Sequence, residues 1–233
     1  MGEAPDPADV GVAPRLDAHV LTGRARGAAG PDGRSALPRV AGWPIFPFET
    51  EGLRVRTLED PVLPEPPRRD EDAATCTVCA RPDDAFVWCG DRWRISLSPA
   101  PGSLPTLVLH PRDHVDFADL TEQQGAEMGV LLVRMERALA SIGGVGRVHV
   151  YKWGDGGAHL HVLVVARPGG MMQLRGMFLS TWMDVLPPLP AEEWAALRSH
   201  LAARLAEAGL KGAPVAASVW PAFNQVAGDQ PAP

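Results

Sequence analysis

The sequence lacks any apolar run close to the roughly 20 residues that a membrane-spanning helix needs. Its first residues also lack the basic-then-apolar layout of a secretory signal. The 233 residues include 22 Lys and Arg against 28 Asp and Glu, a net charge of -6, so the basic surplus that binds nucleic-acid backbones is missing as well. We therefore expect neither a membrane protein, nor an exported protein, nor a protein that binds nucleic acid polymers.

Cysteine is scarce: the chain has only 3, too few and too odd in number for a disulfide framework. This favours a reducing compartment, and we predict a cytoplasmic protein. Cys76 and Cys79 form one Cys-x-x-Cys motif, which can hold Zn²⁺ from a tight turn and leave two tetrahedral positions for distant ligands. A redox pair or two buried small side chains remain alternatives. Cys89 stands alone and is interpreted as a packed small side chain.

Glycine and proline, by contrast, are abundant, with 24 of each. Much of both falls in residues 1–72, which cannot bury enough apolar surface to offset the entropy of ordering them. We predict a largely irregular, poorly ordered extension there, apart from an apolar arm at 43–48. The expected folded domain is 73–215, followed by a tail at 216–233.

The folded part alternates short strands with helices. Thr121 and Gln124 form a capping box, and the apolar residues after it recur at helical spacing, which predicts a helix from about Glu122 to Ser141. A second helix is predicted over 190–208. Runs rich in β-branched and aromatic residues predict five strands, at 85–88, 92–98, 106–110, 147–153 and 159–166. This order indicates an α+β fold with a mostly antiparallel sheet, one long helix and one or two shorter ones.

Two histidines stand at positions i and i+2 of the last predicted strand. A strand directs His159 and His161 to one face and sends Leu160 and Val162 into the core behind them. Two polar rings side by side need partners, and a Gly-Asp-Gly-Gly loop precedes them. Such glycines let an anion approach backbone N–H groups closely. The pattern therefore indicates a functional site at the two histidines.

Two segments of this region, taken in order after the Cys-x-x-Cys motif, resemble a known family. The segment 159–167, HLHVLVVAR, fits a strand in which histidines alternate with apolar residues, with Leu163 in the place of a third histidine. The segment 107–115, LVLHPRDHV, ends in a Pro-x-x-His-Val turn before the long helix. Together they are similar to the zinc-bearing members of the histidine triad (HIT) superfamily over roughly residues 75–168.

The resemblance implies a function and a ligand set. His161 would be the nucleophile that attacks the α-phosphorus of a nucleotide or nucleotide conjugate and forms a nucleotidyl-histidine. Release to water makes a hydrolase and release to a phosphate makes a nucleotidyltransferase, acting on a phosphoanhydride, phosphoester or phosphoramidate bond. The resemblance also implies a homodimer and a structural Zn²⁺ held by Cys76, Cys79, His114 and His159.

The sequence departs from the family at two places. Leu163 replaces a histidine that helps to orient the phosphate and the leaving group. The loop before His159 is short and lacks the polar residues that meet the α-phosphate in familiar members. Phosphate binding is therefore assigned to the backbone of Gly156 and Gly157, with the side chains of Gln173 and Arg175 as candidates from the next segment.

Three alternatives stay open from the sequence. The motif also fits a register in which Gly157, His159 and His161 occupy the three positions. A second hypothesis is a catalytically degenerate protein that holds a structural zinc and binds a nucleotide or a partner without turnover. A third is a zinc module that serves protein contact only.

Overall fold

A computed structural model describes residues 23, 26–43, 46–55 and 59–207. The chain divides into two units, residues 1–43 with 48–66 and residues 44–47 with 67–233. The predicted tail at 216–233 and the first 22 residues of the predicted extension lie outside the described residues. In the first unit, a 3-10 turn spans Arg39–Gly42, and Arg26 pairs with Asp60 at 3.0 Å. All the predicted site residues belong to the second unit.

The second unit is built on one five-stranded sheet in the order β1-β2-β3-β5-β4, with every neighbouring pair antiparallel. The predicted α+β class with a mostly antiparallel sheet is confirmed. The elements in chain order are α1 Thr77–Ala80, β1 Trp88–Cys89, β2 Trp93–Leu97, β3 Thr106–Pro111, α2 Glu122–Ala140, β4 Val145–Tyr151, β5 Val162–Pro168, α3 Leu179–Val185 and α4 Ala191–Glu207. Short 3-10 turns occupy Asp83–Ala85, Phe117–Asp119, Met172–Leu174 and Gly176–Phe178. Within the described ranges, no helix combines the length and the apolar character needed to cross a bilayer.

The long helix α2 begins at the predicted capping box. The Thr121 side chain accepts a hydrogen bond from Gln124 N, and the Gln124 side chain accepts one from Thr121 N. The helix ends one residue before the predicted limit. Gly143 and Gly144 then turn the chain into β4 with φ angles of 80° and 67°, which a residue with a Cβ adopts only under strain.

Alternate residues of β5 serve two cores, as a strand period of two requires. Val162, Val164 and Ala166 pack in the main core between the sheet and helices α2 and α4. Val165 faces the opposite side, where it packs against residues of the 174–186 segment. The side chains of β5 therefore alternate between the main core and the opposite face of the sheet.

Two strands differ from the sequence prediction. β1 is reduced to Trp88–Cys89 because Asp83–Ala85 forms a 3-10 turn after Pro82. β5 begins at Val162, three residues later than predicted. Its ladder with β3 stops at the Leu109 and Val162 pair, and Leu160 N instead donates to Val115 O at 2.9 Å. Residues 159–161 therefore lie beside the turn that follows β3.

Helix α2 supplies a test of the main core. Leu139 is fully buried in it, whereas Val133 on the same helix is 49% exposed. We expect Leu139→Ala to lower the free energy of unfolding by about 3 kcal/mol, since it leaves a cavity, and Val133→Ala to change it by less than about 0.5 kcal/mol. Urea unfolding of both variants measures the difference, and equal losses would contradict this placement of the core.

Candidate metal centre and nucleophile

The four side chains predicted as metal ligands converge. One ligand atom from each of Cys76, Cys79, His114 and His159 lies within 4.8 Å of the other three. Cys76 Sγ and Cys79 Sγ lie 3.5 and 3.4 Å from His159 Nδ1, and Cys79 Sγ lies 3.6 Å from His114 Nδ1. Two sulfur and two imidazole nitrogen donors at this spacing are compatible with one tetrahedral metal ion.

The single-turn helix α1 places the two thiols on one side. Cys76 caps it, and Cys79 N donates to Cys76 Sγ at 3.4 Å. Asp70 holds the start of the turn, because its carboxylate accepts from Thr77 N at 2.8 Å and from Thr77 Oγ1 at 3.0 Å. The motif is therefore anchored by a residue that precedes it in the chain.

The orientation of His159 follows from one hydrogen bond. The ring is 1% exposed, and its Nε2–H donates to Pro111 O at 3.0 Å. The lone pair must then be on Nδ1, which faces the two thiols. Burial lowers the pKa of His159, which keeps the ring neutral. A neutral ring with its lone pair directed at two sulfurs is the state that a metal ligand requires, so these residues fit a metal ion.

The surroundings of Cys79 disfavour its thiolate form in the absence of a metal. Burial raises the pKa of Cys79 to about 11, and the neighbouring Cys76 thiol adds to the rise. Arg94, buried behind the cluster, opposes this effect and donates to Val78 O and Arg81 O at 3.1 Å each. Arg94 was missed by the sequence analysis, although an arginine inside the apolar run of β2 is an available signal.

His161 lies beside the cluster and is half-buried. Its Nδ1–H donates to His159 O at 2.9 Å, which leaves the lone pair on Nε2. Leu160 between the two histidines is buried in the main core, as predicted. The ring that could attack an electrophile is therefore held by the backbone of a residue that belongs to the cluster.

The glycine loop before His159 meets an earlier strand segment. Gly157 pairs with Arg69, and Ala158 N donates to Arg69 O at 2.9 Å. A Cβ added to Gly157 would lie 3.6 Å from Cε1 of His161, whereas one added to Gly156 would have nothing within 4 Å. Residues 67–72, counted with the extension in the sequence analysis, thus form one wall of the site.

Asp116 fixes the outer end of this loop. Arg68 and Lys152 both form ion pairs with its carboxylate, and Arg68 Nη1 also donates to Gly154 O at 3.0 Å. Burial would raise the pKa of Asp116, but these hydrogen bonds outweigh it and hold the pKa at about 2. The carboxylate therefore stays charged and keeps two basic side chains in place.

The two side-chain candidates for phosphate binding, Gln173 and Arg175, stay predictions. Gln173 and Arg175 are exposed in the segment of 3-10 turns after β5. Arg175 Nε donates to Met172 O within that segment at 2.8 Å. Across residues 59–207, no hydrogen bond or ion pair joins either side chain to His161 or to the glycine loop.

Leu163 borders an apolar groove of about 420 Å³ on the face of the sheet opposite the main core. Tyr151 and Trp153 also line it, with their rings stacked at 5.1 Å and 18° between planes. Val165 lies on the groove floor and Asp184 supplies a carboxylate at its wall. An apolar surface therefore occupies the place where the sequence resemblance implies a third histidine.

No protein-family model and no curated protein matches this chain. Solved structures are similar to it. A histidine triad protein from Bradyrhizobium japonicum is 26% identical with a TM-score of 0.43, over 51% of this chain and 88% of that one. A histidine triad protein from Sinorhizobium meliloti is 20% identical with a TM-score of 0.44, over 52% and 88%. A Zn-bound histidine triad family protein from Mycobacterium smegmatis is 18% identical with a TM-score of 0.41, over 59% and 99%.

The cluster predicts which substitutions release a metal. We expect Cys76→Ser to lower both the metal content per chain and the melting temperature, because a structural metal contributes on the order of 10 kcal/mol to folding. Cys89→Ser is the matched control, since Cys89 lies outside the cluster and its Sγ donates to Asp83 O at 3.5 Å. Elemental analysis and thermal unfolding measure both quantities.

His161→Ala should spare the metal and the melting temperature. Parallel losses in Cys76→Ser and His161→Ala would mean that the ligand register is wrong and that His161 is itself a ligand.

Proposed function

We propose that this protein is a nucleotide hydrolase or nucleotidyltransferase that works through a nucleotidyl-histidine on His161. The observation that supports this most is the hydrogen bond from His161 Nδ1–H to His159 O. In the neutral ring this bond leaves the lone pair on Nε2, the nitrogen that does not contact the backbone carbonyl. The unprotonated nitrogen of a neutral imidazole is a nucleophile. The glycine loop beside the ring carries no side chain that would separate a phosphoryl group from the loop backbone.

The reaction has two displacements at phosphorus. His161 Nε2 donates its electron pair to the α-phosphorus, a P–N bond forms, and the bond from phosphorus to the leaving group breaks with its pair on the leaving group. Water, or the oxygen of an acceptor phosphate, then attacks the same phosphorus. The P–N bond breaks, its electron pair returns to Nε2, and the acceptor loses its proton to solvent when the acceptor is water. Throughout, Nδ1–H stays bonded to His159 O.

The metal in this proposal is zinc, with a structural role. Four protein donors fill a tetrahedral ion, so no position is open to substrate. Zinc at this site would tie α1 to the turn after β3 and to His159. A reducing compartment such as the cytoplasm suits it, since the cysteines are free. A homodimer remains part of the proposal from the sequence resemblance.

The proposed substrate is a nucleotide or nucleotide conjugate. The backbone N–H groups of Gly156 and Gly157 are proposed to meet its α-phosphate, because neither residue has a side chain that would block the approach. Gln173 and Arg175 remain proposed contacts of the phosphate.

A second candidate is a protein that binds a nucleotide without turning it over. The apolar groove beside Leu163 supports this alternative, since leucine can neither donate to nor accept from a leaving group. The first candidate forms a covalent nucleotidyl adduct on His161, whereas the second candidate forms none.

Trapping the adduct separates the two candidates. We expect the wild-type chain, incubated with a panel of nucleoside triphosphates, dinucleoside polyphosphates and nucleoside phosphoramidates, to gain the mass of one nucleotidyl group. His161→Ala should lose adduct and turnover by at least about a thousandfold, as removal of a nucleophile does. His200→Ala serves as the control, because His200 is on α4 and bonds to Ser141 Oγ at 2.9 Å.

Intact-mass spectrometry after acid-free quenching measures the adduct, and chromatography of the nucleotides measures turnover. Binding by calorimetry with neither adduct nor product would favour the second candidate. Equal turnover by wild type and His161→Ala would exclude His161 as the nucleophile.

A further inference from the structure

We propose that Arg69 completes an oxyanion subsite at His161, in which its guanidinium and the Gly157 backbone hold a non-bridging oxygen of the substrate's α-phosphate. This inference rests on the proposed function, whose phosphate contacts it supplies. The positive charge that meets the phosphate would then come from a residue that precedes the cysteine motif, in addition to any contact from the segment after β5.

The backbone of Arg69 is fixed against the loop it would serve. Gly157 and Arg69 pair as a parallel bridge, and Ala158 N donates to Arg69 O at 2.9 Å. On the far side, Asp70 is held by two hydrogen bonds from Thr77. The position of the Arg69 Cα is thus set from both sides, while its side chain is 76% exposed to solvent.

The guanidinium and the nucleophile flank the same glycine. A Cβ placed on Gly157 would lie 3.8 Å from Arg69 Nη2 and 3.6 Å from His161 Cε1. The guanidinium and the imidazole therefore both border the space next to this glycine. A phosphoryl group brought to His161 Nε2 would enter that space.

Arg69 differs from the two other basic side chains near the glycine loop, Arg68 and Lys152, in its ion-pair partners. Arg68 and Lys152 both pair with Asp116, which holds them in a structural ion-pair network. Arg69 contacts a carboxylate through Nε, at 3.5 Å from Asp70 Oδ2. That carboxylate already accepts two hydrogen bonds from Thr77, and the terminal nitrogen Nη2 lies towards Gly157 instead.

The chemistry of arginine suits this place. Its planar fork donates two parallel hydrogen bonds to a phosphate, and its charge is retained at any physiological pH. Leu163, which stands in the place of the family's third histidine, offers neither charge nor hydrogen bonds. A cation at Arg69 would therefore supply the stabilisation of phosphate charge that the apolar groove cannot.

Binding measured with and without the phosphate tests the subsite. Nucleoside monophosphates and the matching nucleosides are titrated calorimetrically into the full chain and into Arg69→Gln. We expect Arg69→Gln to bind the monophosphate about tenfold to a hundredfold more weakly, the loss of one charge-assisted pair, and to bind the nucleoside unchanged. Arg69→Lys should recover part of the loss, because charge returns without the fork.

Arg147→Gln is the matched control, since Arg147 is an exposed arginine of β4 whose Nη1 donates to its neighbour Gly146 O at 2.7 Å. It should bind both ligands as the wild type does. Metal content and melting temperature of all three variants should equal those of the wild type, because the contacts that fix residue 69 are made by its backbone.

Two results would overturn the subsite while leaving the proposed function intact. One is adduct formation and monophosphate affinity in Arg69→Gln equal to wild type. The other is an equal loss of nucleoside and monophosphate binding, which would mark a structural effect of the side chain. A wild-type chain that binds no nucleotide and forms no adduct would overturn both proposals.

Discussion

One hydrogen bond, from His159 Nε2 to the Pro111 carbonyl, sets the state of the whole site. It places the lone pair of a buried ring on Nδ1, facing two thiols, and it holds residues 159–161 against the turn after β3. The carbonyl of the same residue then fixes the tautomer of His161. The side chain of His159 serves the metal cluster and its backbone serves the proposed nucleophile, so a change in this residue alters both.

The sheet allows His159 to contact both the metal cluster and His161 while the neighbouring residues pack in the core. Leu160, Val162, Val164 and Ala166 belong to the main core under α2 and α4, whereas Leu163 and Val165 line the groove on the opposite face. Burial of the first set stabilises the strand that follows His161. The position of the proposed nucleophile is therefore set by packing to which its own side chain does not contribute.

The sequence was most informative where a local pattern decides the structure. The capping box at Thr121 and the burial of Leu160 and Val162 depend on neighbouring residues, and both are confirmed, although the strand that was predicted from residue 159 begins only at Val162. The four converging ligand residues were found through the order of motifs. The apolar run of β2 marks Arg94 as unusual, but its partners, the carbonyls of Val78 and Arg81, and the pairing of Arg69 with Gly157 depend on contacts between separate segments of the chain that no local pattern predicts. Gln173 and Arg175 were chosen by proximity in sequence to β5, which says little about position in space.

Leu163 has a different meaning in the structure than in the sequence. As a missing histidine it counts against catalysis, yet here it forms part of a continuous apolar groove with the stacked Tyr151 and Trp153. A polar ring at that position would lose the apolar contacts of Leu163 and would depend for hydrogen bonds on a few polar lining groups, such as the Asp184 carboxylate. The groove beside Leu163 is therefore suited to an apolar or aromatic group, and the Asp184 carboxylate at its wall disfavours an anion there.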